Sequence, residues 1–441
     1  MNKIRKLSFG QIIYFLILGF VLMFPKFNLI NVPGTYIGIR AEDFMIALFL
    51  FVVFVKEMRK EKKDRITTKN ASLRKISQVF SVFFVLTIIS TIFGAINGYI
   101  NITHGLLFCI RNLEYFLFII VGIMFGKRYG KEDKLFHFIV WCLLIHVAIG
   151  LLQYFGVLGA LKDGVMMTSR GGRVWSTFNG PYEFSGFLTM VAPVCLYMFL
   201  EGKKVFFYGI AVLAALAGVL LSQSRSSLIV LAVLIGWLIA RDFLKMAKYG
   251  KERKALARNV ILILCMAVVT VTLTQGSTLM SRFTSIKTSD IVESTKGAIE
   301  EIESTTESGS KPSANVTAQA GDTSYNIRIR KWIALFNDFM ESPVIGCGPS
   351  AASEAADGNY VRLLAESGVL GLMLWLVFIA TILKNLDKKK KTIYIMVVYS
   401  TMALLMTAIF IDIFIASKIM MFYYILVGYN ISSVDEKKRI E

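Results

Sequence analysis

Six arginines lie in or beside polar connections between long apolar blocks. One of them, Arg225, lies in a short turn among four serines, Leu221-Ser-Gln-Ser-Arg-Ser-Ser227. A guanidinium keeps its charge and can bind two phosphate oxygens through parallel hydrogen bonds, so several converging arginines suit a pyrophosphate. Anchoring at anionic lipid headgroups is the alternative for any single one, but a tight turn makes a poor anchor. The six are Arg170, Arg173, Arg225, Arg282, Arg328 and Arg330.

Three carboxylates could complement these cations in a reaction that moves a proton. Asp357 precedes the run Gly-Asn-Tyr-Val-Arg-Leu-Leu-Ala-Glu366, and Glu183 follows the turn Asn179-Gly-Pro-Tyr182. Asp357 could cap the helix that follows it, or it could accept a proton from a hydroxyl group. Both uses remain open, and Glu366 and Glu183 are the alternative bases.

The composition predicts the kind of structure that must hold these groups. Of the 441 residues, 55% are hydrophobic and 18% are charged, which is more apolar and less charged than a soluble domain. Apolar blocks of about 18–20 residues recur, the length needed to cross a bilayer. This pattern excludes a soluble enzyme, a disulfide scaffold and a disordered chain. The net charge of +19 comes mainly from bases between the blocks, so membrane orientation explains it better than nucleic-acid binding does.

The fold class predicted is all-α: a polytopic integral membrane protein with about twelve transmembrane helices. A bundle of nine helices (1–275) is followed by a long connection (276–367), and then by three helices and a tail (368–441). Lys and Arg concentrate in alternate connections, so we expect both termini in the cytoplasm and the long connection outside. The expected spans lie near residues 8–25, 44–55, 76–96, 105–125, 135–155, 182–200, 205–221, 226–240, 259–275, 368–383, 392–410 and 414–430.

The long connection divides into two unlike halves. Residues 284–324 are rich in small and polar residues, which predicts a mobile stretch. Residues 327–340 predict an amphipathic helix lying on the membrane surface or on the bundle, with one apolar face. Gly346-Cys-Gly-Pro349 predicts a tight turn after it. The predicted face consists of Ile329, Trp332, Ile333, Phe336, Phe339 and Met340.

Several motifs are absent from the sequence. It contains no Walker loop, no G-x-G-x-x-G, no H-E-x-x-H and no Asp-x-Asp pair. The five cysteines show no metal-ligand spacing. We therefore expect no cofactor and no bound metal.

The order of motifs resembles the O-antigen ligase and Wzy-type polysaccharide polymerase superfamily over most of the chain. The resemblance implies a GT-C-like glycosyltransferase that uses undecaprenyl-pyrophosphate-linked glycans on the outer face of the bacterial plasma membrane. It also implies essential outer arginines and loop residues, and it adds Asn359 and Tyr360 to the predicted substrate-binding residues. The motifs are Arg173 before Phe178-Asn-Gly-Pro181, Ser224-Arg-Ser226, Arg330 and Trp332 before Pro343-Val-Ile-Gly-Cys-Gly348, Asn359-Tyr360, and Glu366-Ser-Gly-Val-Leu-Gly371.

One departure from the family favours a polymerase. Ligases of the superfamily carry a His before the Asn of the loop motif, whereas this chain has Gly358 before Asn359. The resulting hypothesis is an inverting, metal-independent polymerase of repeat units for a capsule, exopolysaccharide or O-antigen type of glycan. Arg225, Arg330 and Asp357 are its predicted catalytic residues. Arg170, Arg173, Arg282, Arg328, Glu183, Asn359, Tyr360 and Glu366 are predicted to bind substrate.

Other functions remain open at this stage. The alternatives are a ligase that transfers finished glycan to another acceptor, and a transporter or flippase of lipid-linked glycan. A cell-shape peptidoglycan polymerase and a scaffold without chemistry are further rivals. A chain-length regulator and a flippase of the same pathway are the expected protein partners.

Overall fold

The computed structural model describes most of the predicted bundle. The described residues are 9–25, 28–31, 38–40, 43, 47, 51, 55, 58–59, 70–129, 132–162, 165–167, 172–249, 253–274, 324–352 and 356–432. The predicted span at 44–55 and the predicted mobile stretch at 284–324 lie almost entirely outside them. Every other predicted span coincides with a helix.

Within the described residues, twelve α-helices follow one another along the chain. They are α1 (Phe9–Met23), α2 (Ala71–Ile96), α3 (Ile102–Tyr129), α4 (Glu132–Tyr154), α5 (Pro181–Leu200), α6 (Val205–Ser222), α7 (Arg225–Tyr249), α8 (Arg253–Thr274), α9 (Ser324–Glu341), α10 (Asn359–Lys384), α11 (Lys391–Thr407) and α12 (Ser417–Ile431). A 3-10 turn at Ile413–Ile415 separates the last two.

Eight of these described helices are long and apolar enough to cross a membrane: α2 to α8 and α10. α1 and α11 contain shorter apolar stretches, Tyr14–Met23 and Lys391–Thr407. The protein is therefore an all-helical polytopic membrane protein, as predicted.

Two small antiparallel hairpins were not predicted from the sequence. β1 (Asn28–Asn31) pairs with β2 (Gly38–Arg40), and β3 (Ala160–Lys162) pairs with β4 (Val165–Met167). Each strand has only three or four residues, which is too short to show a clear alternation of apolar and polar positions.

The centre of the bundle is α5, whose side chains are buried from Phe184 to Leu200. It packs against α6, α7 and α11, and α6 in turn packs against α4 and α8. A helix surrounded on all sides needs an apolar surface all round, and the sequence of α5 provides one. This packing fixes both ends of α5 within the molecule.

A second pair of helices, α3 and α12, is held together by glycines. Gly122 and Gly126 on α3 lie against the backbone of α12 at Ile425 and Tyr429, and Gly428 on α12 lies against Ile119. A Cβ atom at any of these glycines would collide with backbone or with Ser432. Small residues spaced by four let membrane helices approach closely, and this spacing sets the position of α12.

The connections fall into two opposite groups at the ends of the bundle. The start of α5, the turn between α6 and α7, and the start of α10 belong to one end. The end of α5, the connection between α7 and α8, and the start of α11 belong to the other end. Two hydrogen bonds support this grouping. Val174 N–H donates to the carbonyl oxygen of Leu221 at one end, and Arg258 Nη2 donates to the carbonyl oxygen of Leu200 at the other.

Candidate active site

The first group of polar side chains surrounds the turn between α6 and α7. Gln223 adopts a left-handed conformation there (φ 52°), which reverses the chain between the two helices. Hydroxyl groups hold the turn: Ser224 Oγ donates to Ser227 Oγ at 2.9 Å, and Ser227 Oγ lies 2.7 Å from Ser185 Oγ on α5. Arg225 is the first residue of α7 and is half-buried. We call this group the turn cluster; it consists of Arg173, Tyr182, Ser222, Ser224, Arg225 and Ser227.

Arg173 reaches this turn from a distant part of the sequence. Its Nε donates to the carbonyl oxygen of Ser222 at 3.1 Å, and its guanidinium lies 4.7 Å from the centre of the Tyr182 ring. Its Nη2 is buried and has no hydrogen-bond partner among the described residues. Because these contacts are with neutral groups, the guanidinium keeps both its charge and donors for an anion.

The second group lies where the chain returns from the long connection into the bundle. α10 is broken at Gly368 (φ 64°, ψ −169°), and the segment 343–348 packs against the break. Cys347 N–H donates to the carbonyl oxygen of Ala365 at 2.8 Å, and Val369 N–H donates to the carbonyl oxygen of Pro343 at 2.9 Å. Broken helices occur at membrane depth where other protein groups satisfy the backbone, as this segment does. The glycines at 346 (φ 73°) and 348 (φ 97°) explain the predicted tight turn.

Buried charges gather on the first half of α10. Arg362, 1% exposed, donates to Glu366 Oε1 at 3.1 Å and to Asp412 Oδ2 at 3.3 Å. Glu366 also accepts the backbone N–H of Ser350 at 3.1 Å. Asp357, Arg362, Glu366 and Asp412 are called the return cluster below. Its arginine is matched by two carboxylates, so this charge is satisfied within the protein.

Asp357 is the most accessible carboxylate of the return cluster. Its side chain is 23% exposed, against 9% for Glu366 and 6% for Asp412, and it lies 3.9 Å from the ammonium group of Lys331. Burial raises the pKa of Asp357 above its usual range, while the positive charges of Arg328 and Lys331 act in the opposite direction. A carboxylate with a raised pKa is a better proton acceptor than an ordinary aspartate.

The backbone around Asp357 has an unusual and well-supported geometry. Asp357 adopts a left-handed conformation (φ 54°). The carboxylate of Asp412 accepts the N–H groups of Ala356 and Gly358, the residues on either side of Asp357. Trp332 Nε1 donates to the carbonyl oxygen of Asp357 at 3.1 Å. The N-cap of α10 is Gly358, without a side-chain cap, so the cap role considered for Asp357 is wrong.

The remaining predicted site residues are placed as follows. Arg328 and Arg330 are half-buried on α9, and Glu183 is half-buried in the first turn of α5. Asn359 Oδ1 accepts the N–H of Phe414, and the Tyr360 hydroxyl donates to Leu405 at 2.8 Å. The first contact ties α10 to the 3-10 turn after α11, and the second ties it to α11 itself. Arg170 and Arg282 lie outside the described residues.

α9 faces the bundle differently from the prediction. Ala334 and Leu335 are buried, whereas Phe336 and Met340 are exposed. Leu335 packs with three alanines that follow α9 in the sequence: Ala352, Ala356 and Ala365. The helix itself was predicted, at 327–340, but its bundle-facing side is rotated relative to the predicted apolar face. The exposed apolar residues fit the alternative that α9 also touches the membrane surface.

The segment between α11 and α12 lies between the two clusters. Asp412 belongs to the return cluster, Ile413 packs against Gly186 on α5, and the ammonium of Lys418 donates to Thr177 O at 2.7 Å. Thr177 is close in sequence to Arg173 and Tyr182 of the turn cluster. One short stretch of chain thus connects both clusters at the same end of the bundle.

A cavity of about 60 Å³ adjoins the return cluster between α2, α3, α10 and α12. Aromatic side chains line much of it, and Asn112, Arg362 and Glu366 are among the polar residues of its wall.

Two members of the return cluster, Arg362 and Asp412, were not among the predicted site residues. Signals for both were present: Arg362 is four residues before Glu366, which places the two on one helical face, and Asp412 interrupts an otherwise apolar stretch. The contact between them joins positions 50 apart, which spacing alone does not reveal.

The architecture and these two clusters define a polytopic membrane protein with polar groups concentrated at one end. Residues 210–376 match the family model described as O-antigen ligase (Wzy_C). This match confirms the resemblance to the O-antigen ligase and Wzy-type polymerase superfamily, and it runs from within α6 to within α10. It includes Arg225, Arg330 and Asp357, but neither Arg173 nor Asp412. No curated protein matches the chain at a significant level.

Proposed function

We propose that the protein is a membrane glycosyltransferase that polymerises oligosaccharide repeat units carried on undecaprenyl pyrophosphate. The family match supports a membrane enzyme that processes glycans. The observation that carries the finer proposal is the turn cluster: Arg173 donates to Ser222, three residues before Arg225, and among the described residues its contacts are with neutral groups. Such a site favours a strongly anionic ligand such as a diphosphate.

The diphosphate is held by Arg225 and Arg330, with Arg173 completing the site. Arginine supports this role because its charge is permanent and its N–H groups bind two oxygens at once. As the glycosyl bond breaks, negative charge grows on the leaving diphosphate, and fixed guanidinium groups stabilise that charge. Arg170, Arg282 and Arg328 are proposed to contribute to substrate binding at the same end of the protein.

The proposed reaction is a direct displacement. A hydroxyl oxygen of the acceptor repeat unit attacks the anomeric carbon of the growing chain and forms a C–O bond. The bond between that carbon and the diphosphate oxygen breaks, its electron pair leaves with the lipid diphosphate, and the hydroxyl proton passes to Asp357. One displacement inverts the anomeric carbon. The charges in this scheme come from side chains, so we propose that no metal takes part.

Asp357 is a better candidate for the base than Glu366. Glu366 is buried and already accepts hydrogen bonds from Arg362 and from Ser350 N–H. Within the part of the chain that the structure describes, the side chain of Asp357 is partly exposed and has one ion pair, a long one with Lys331 at 3.9 Å. Glu183 stays the second alternative, because it is half-buried in the first turn of α5, next to Tyr182 of the turn cluster.

Polymerisation is favoured over ligation by the surroundings of Gly358. Ligases of the superfamily have a His at this position before the Asn. Here a Cβ atom on Gly358 would lie 3.0 Å from Trp332 Nε1 and 3.3 Å from the carbonyl oxygen of Ile409. The Trp332 indole therefore occupies the space that a larger side chain would need, which supports a site built without that histidine.

The proposal places both clusters on the outer face of the bacterial plasma membrane, with both termini in the cytoplasm. Support comes from the basic connections, which concentrate at the opposite end of the bundle. Lipid-linked repeat units would reach this face through a flippase, and a chain-length regulator would limit the product. Both are proposed partners in the same pathway.

A deletion strain complemented with wild-type protein or Arg225→Ala tests the function on a glycan gel. A polymerase predicts single repeat units on lipid in the deletion strain and in the variant. Long unattached polymer on lipid would instead indicate a ligase. Intermediates trapped on the cytoplasmic face would indicate transport, and either result would overturn the proposal.

A further inference from the structure

A second polar site lies at the opposite end of the bundle from the two clusters. Arg241 on α7 places its guanidinium 5.2 Å from the centre of the Tyr197 ring near the end of α5. Its Nη1 donates to the hydroxyl of Tyr399 on α11 at 3.5 Å. Tyr182 and Tyr197 are fifteen residues apart on α5, so this site is about 22 Å from the turn cluster.

Among the described residues, no carboxylate forms an ion pair with Arg241. Both contacts are with tyrosines that are themselves buried, at 6% and 7% exposure, and its Nε is buried without a hydrogen-bond partner among the described residues. The neighbouring carboxylate, Asp242, is buried against α8 and accepts from Asn259 Nδ2 at 2.8 Å. An arginine near the end of a membrane helix is costly unless an anion or water compensates it.

A second cation stands beside the first. Lys391, the first residue of α11, lies next to the Tyr197 hydroxyl and within electrostatic range of Arg241. The nearby acid is Glu201, which is exposed at the end of α5. Two cations and two tyrosine side chains thus lie close together where α5 ends beside α7 and α11. This set of donors suits the oxygens of a phosphate group.

The place of this site within the bundle indicates where such a phosphate would come from. α5 and α7 are long enough to cross a membrane, and α11 is a shorter apolar helix. Tyrosines and basic residues at helix ends lie at the level of lipid headgroups. A phosphate at that level belongs to a lipid whose chains lie along the apolar surface below.

We propose that Arg241, Lys391, Tyr197 and Tyr399 form a binding site for the phosphate of an anionic phospholipid headgroup. The site is independent of the proposed catalytic function. The bound lipid neutralises Arg241 and joins α5, α7 and α11, which are the central helix and two of its neighbours.

The test uses the full-length protein in nanodiscs of phosphatidylcholine and phosphatidylglycerol, followed by native mass spectrometry of the lipids that stay bound. Arg241→Gln is compared with Lys245→Gln, which removes one positive charge from an exposed position one turn further along α7. We expect phosphatidylglycerol to bind at least roughly tenfold more weakly to Arg241→Gln, and to bind Lys245→Gln as it binds the wild type.

Two results would overturn the proposal. Unchanged binding to Arg241→Gln would remove the site, and equal losses in both variants would reduce it to general attraction by a basic surface. If Arg241→Gln does not fold, Tyr399→Phe replaces it, with an expected weakening of roughly threefold. Displacement of the lipid by inorganic phosphate would assign the site to a soluble anion and contradict a lipid site.

Discussion

Arg173 and Arg362 lie at the same end of the bundle but in opposite chemical settings. Arg173 contacts a carbonyl oxygen and a tyrosine ring, and its Nη2 has no hydrogen-bond partner among the described residues. Arg362 is fully buried and contacts two carboxylates. A buried arginine that is neutralised by acids holds the fold, whereas one that meets only neutral groups is available to a ligand. Arg173 of the turn cluster is therefore expected to bind substrate, and the buried ion pairs of Arg362 are expected to position the chain around Asp357.

The largest expected effect concerns the turn cluster. Arg225→Ala should abolish polymer without lowering the amount of protein in the membrane, because the leaving diphosphate loses a fixed positive charge. Arg225→Lys should restore little, since a lysine cannot bind two oxygens in the same way. A glycan gel and an immunoblot of the same cells measure both quantities.

The matched control for Arg225 lies on the same helix. Lys245→Gln removes one positive charge at the other end of α7, in an exposed position, and should leave polymer intact. Full-length polymer from Arg225→Ala would take this arginine out of the mechanism.

The next largest effect is expected at Asp357. Asp357→Asn keeps the size of the side chain but cannot take a proton, so the polymerisation rate should fall by about 10²–10⁴-fold. Thermal stability should change little, because the side chain is partly exposed and its ion pair with Lys331 is long. Glu183→Gln is the comparison, and a larger loss there than at Asp357 would transfer the role of the base to Glu183.

The return cluster should respond in the opposite way, through stability. Arg362→Leu leaves Glu366 and Asp412 buried without their shared cation, which should cost about 3–5 kcal/mol of folding free energy. Thermal unfolding of the purified variant in detergent measures this. Arg173→Gln is the control, with lost activity and an unchanged melting temperature. Equal melting temperatures for the two variants would remove the distinction between the clusters.

The smallest expected effect is a change in pH dependence. As the base, Asp357 must be ionised, so the rate should fall on the acidic side as pH drops through its pKa. Burial raises that pKa, so the fall should begin at a higher pH than for an ordinary aspartate. Lys331→Gln removes a charge that lowers this pKa, and it should move the acidic limb to still higher pH. If the rate of Lys331→Gln and of the wild type falls at the same acidic pH, Asp357 is not the base.

The helices were predictable because a membrane helix needs a long apolar run, and the sequence contains such runs. The positions of the arginines were also visible. What could not be read from spacing was the pairing across the chain, such as Arg173 with Ser222, 49 positions apart, or Arg362 with Asp412. The break at Gly368 also escaped prediction, because it depends on segment 343–348 packing against it from outside the helix.

The helical face of α9 shows a further limit. Apolar periodicity predicts that the helix exists, but it does not decide between two apolar surroundings. Phe336 and Met340 are exposed, whereas Leu335 packs against alanines at the start of α10 and in the connection before it. Bundle and membrane are both apolar, so a residue facing either one looks the same in the sequence.

The most direct test of the central claim uses purified protein in proteoliposomes supplied with synthetic repeat units on undecaprenyl pyrophosphate. The account predicts a ladder of polymer on the lipid, with one lipid pyrophosphate released for each new linkage, and no ladder from Arg225→Ala. Repeat units that remain single, or that cross the bilayer without being joined, would contradict it.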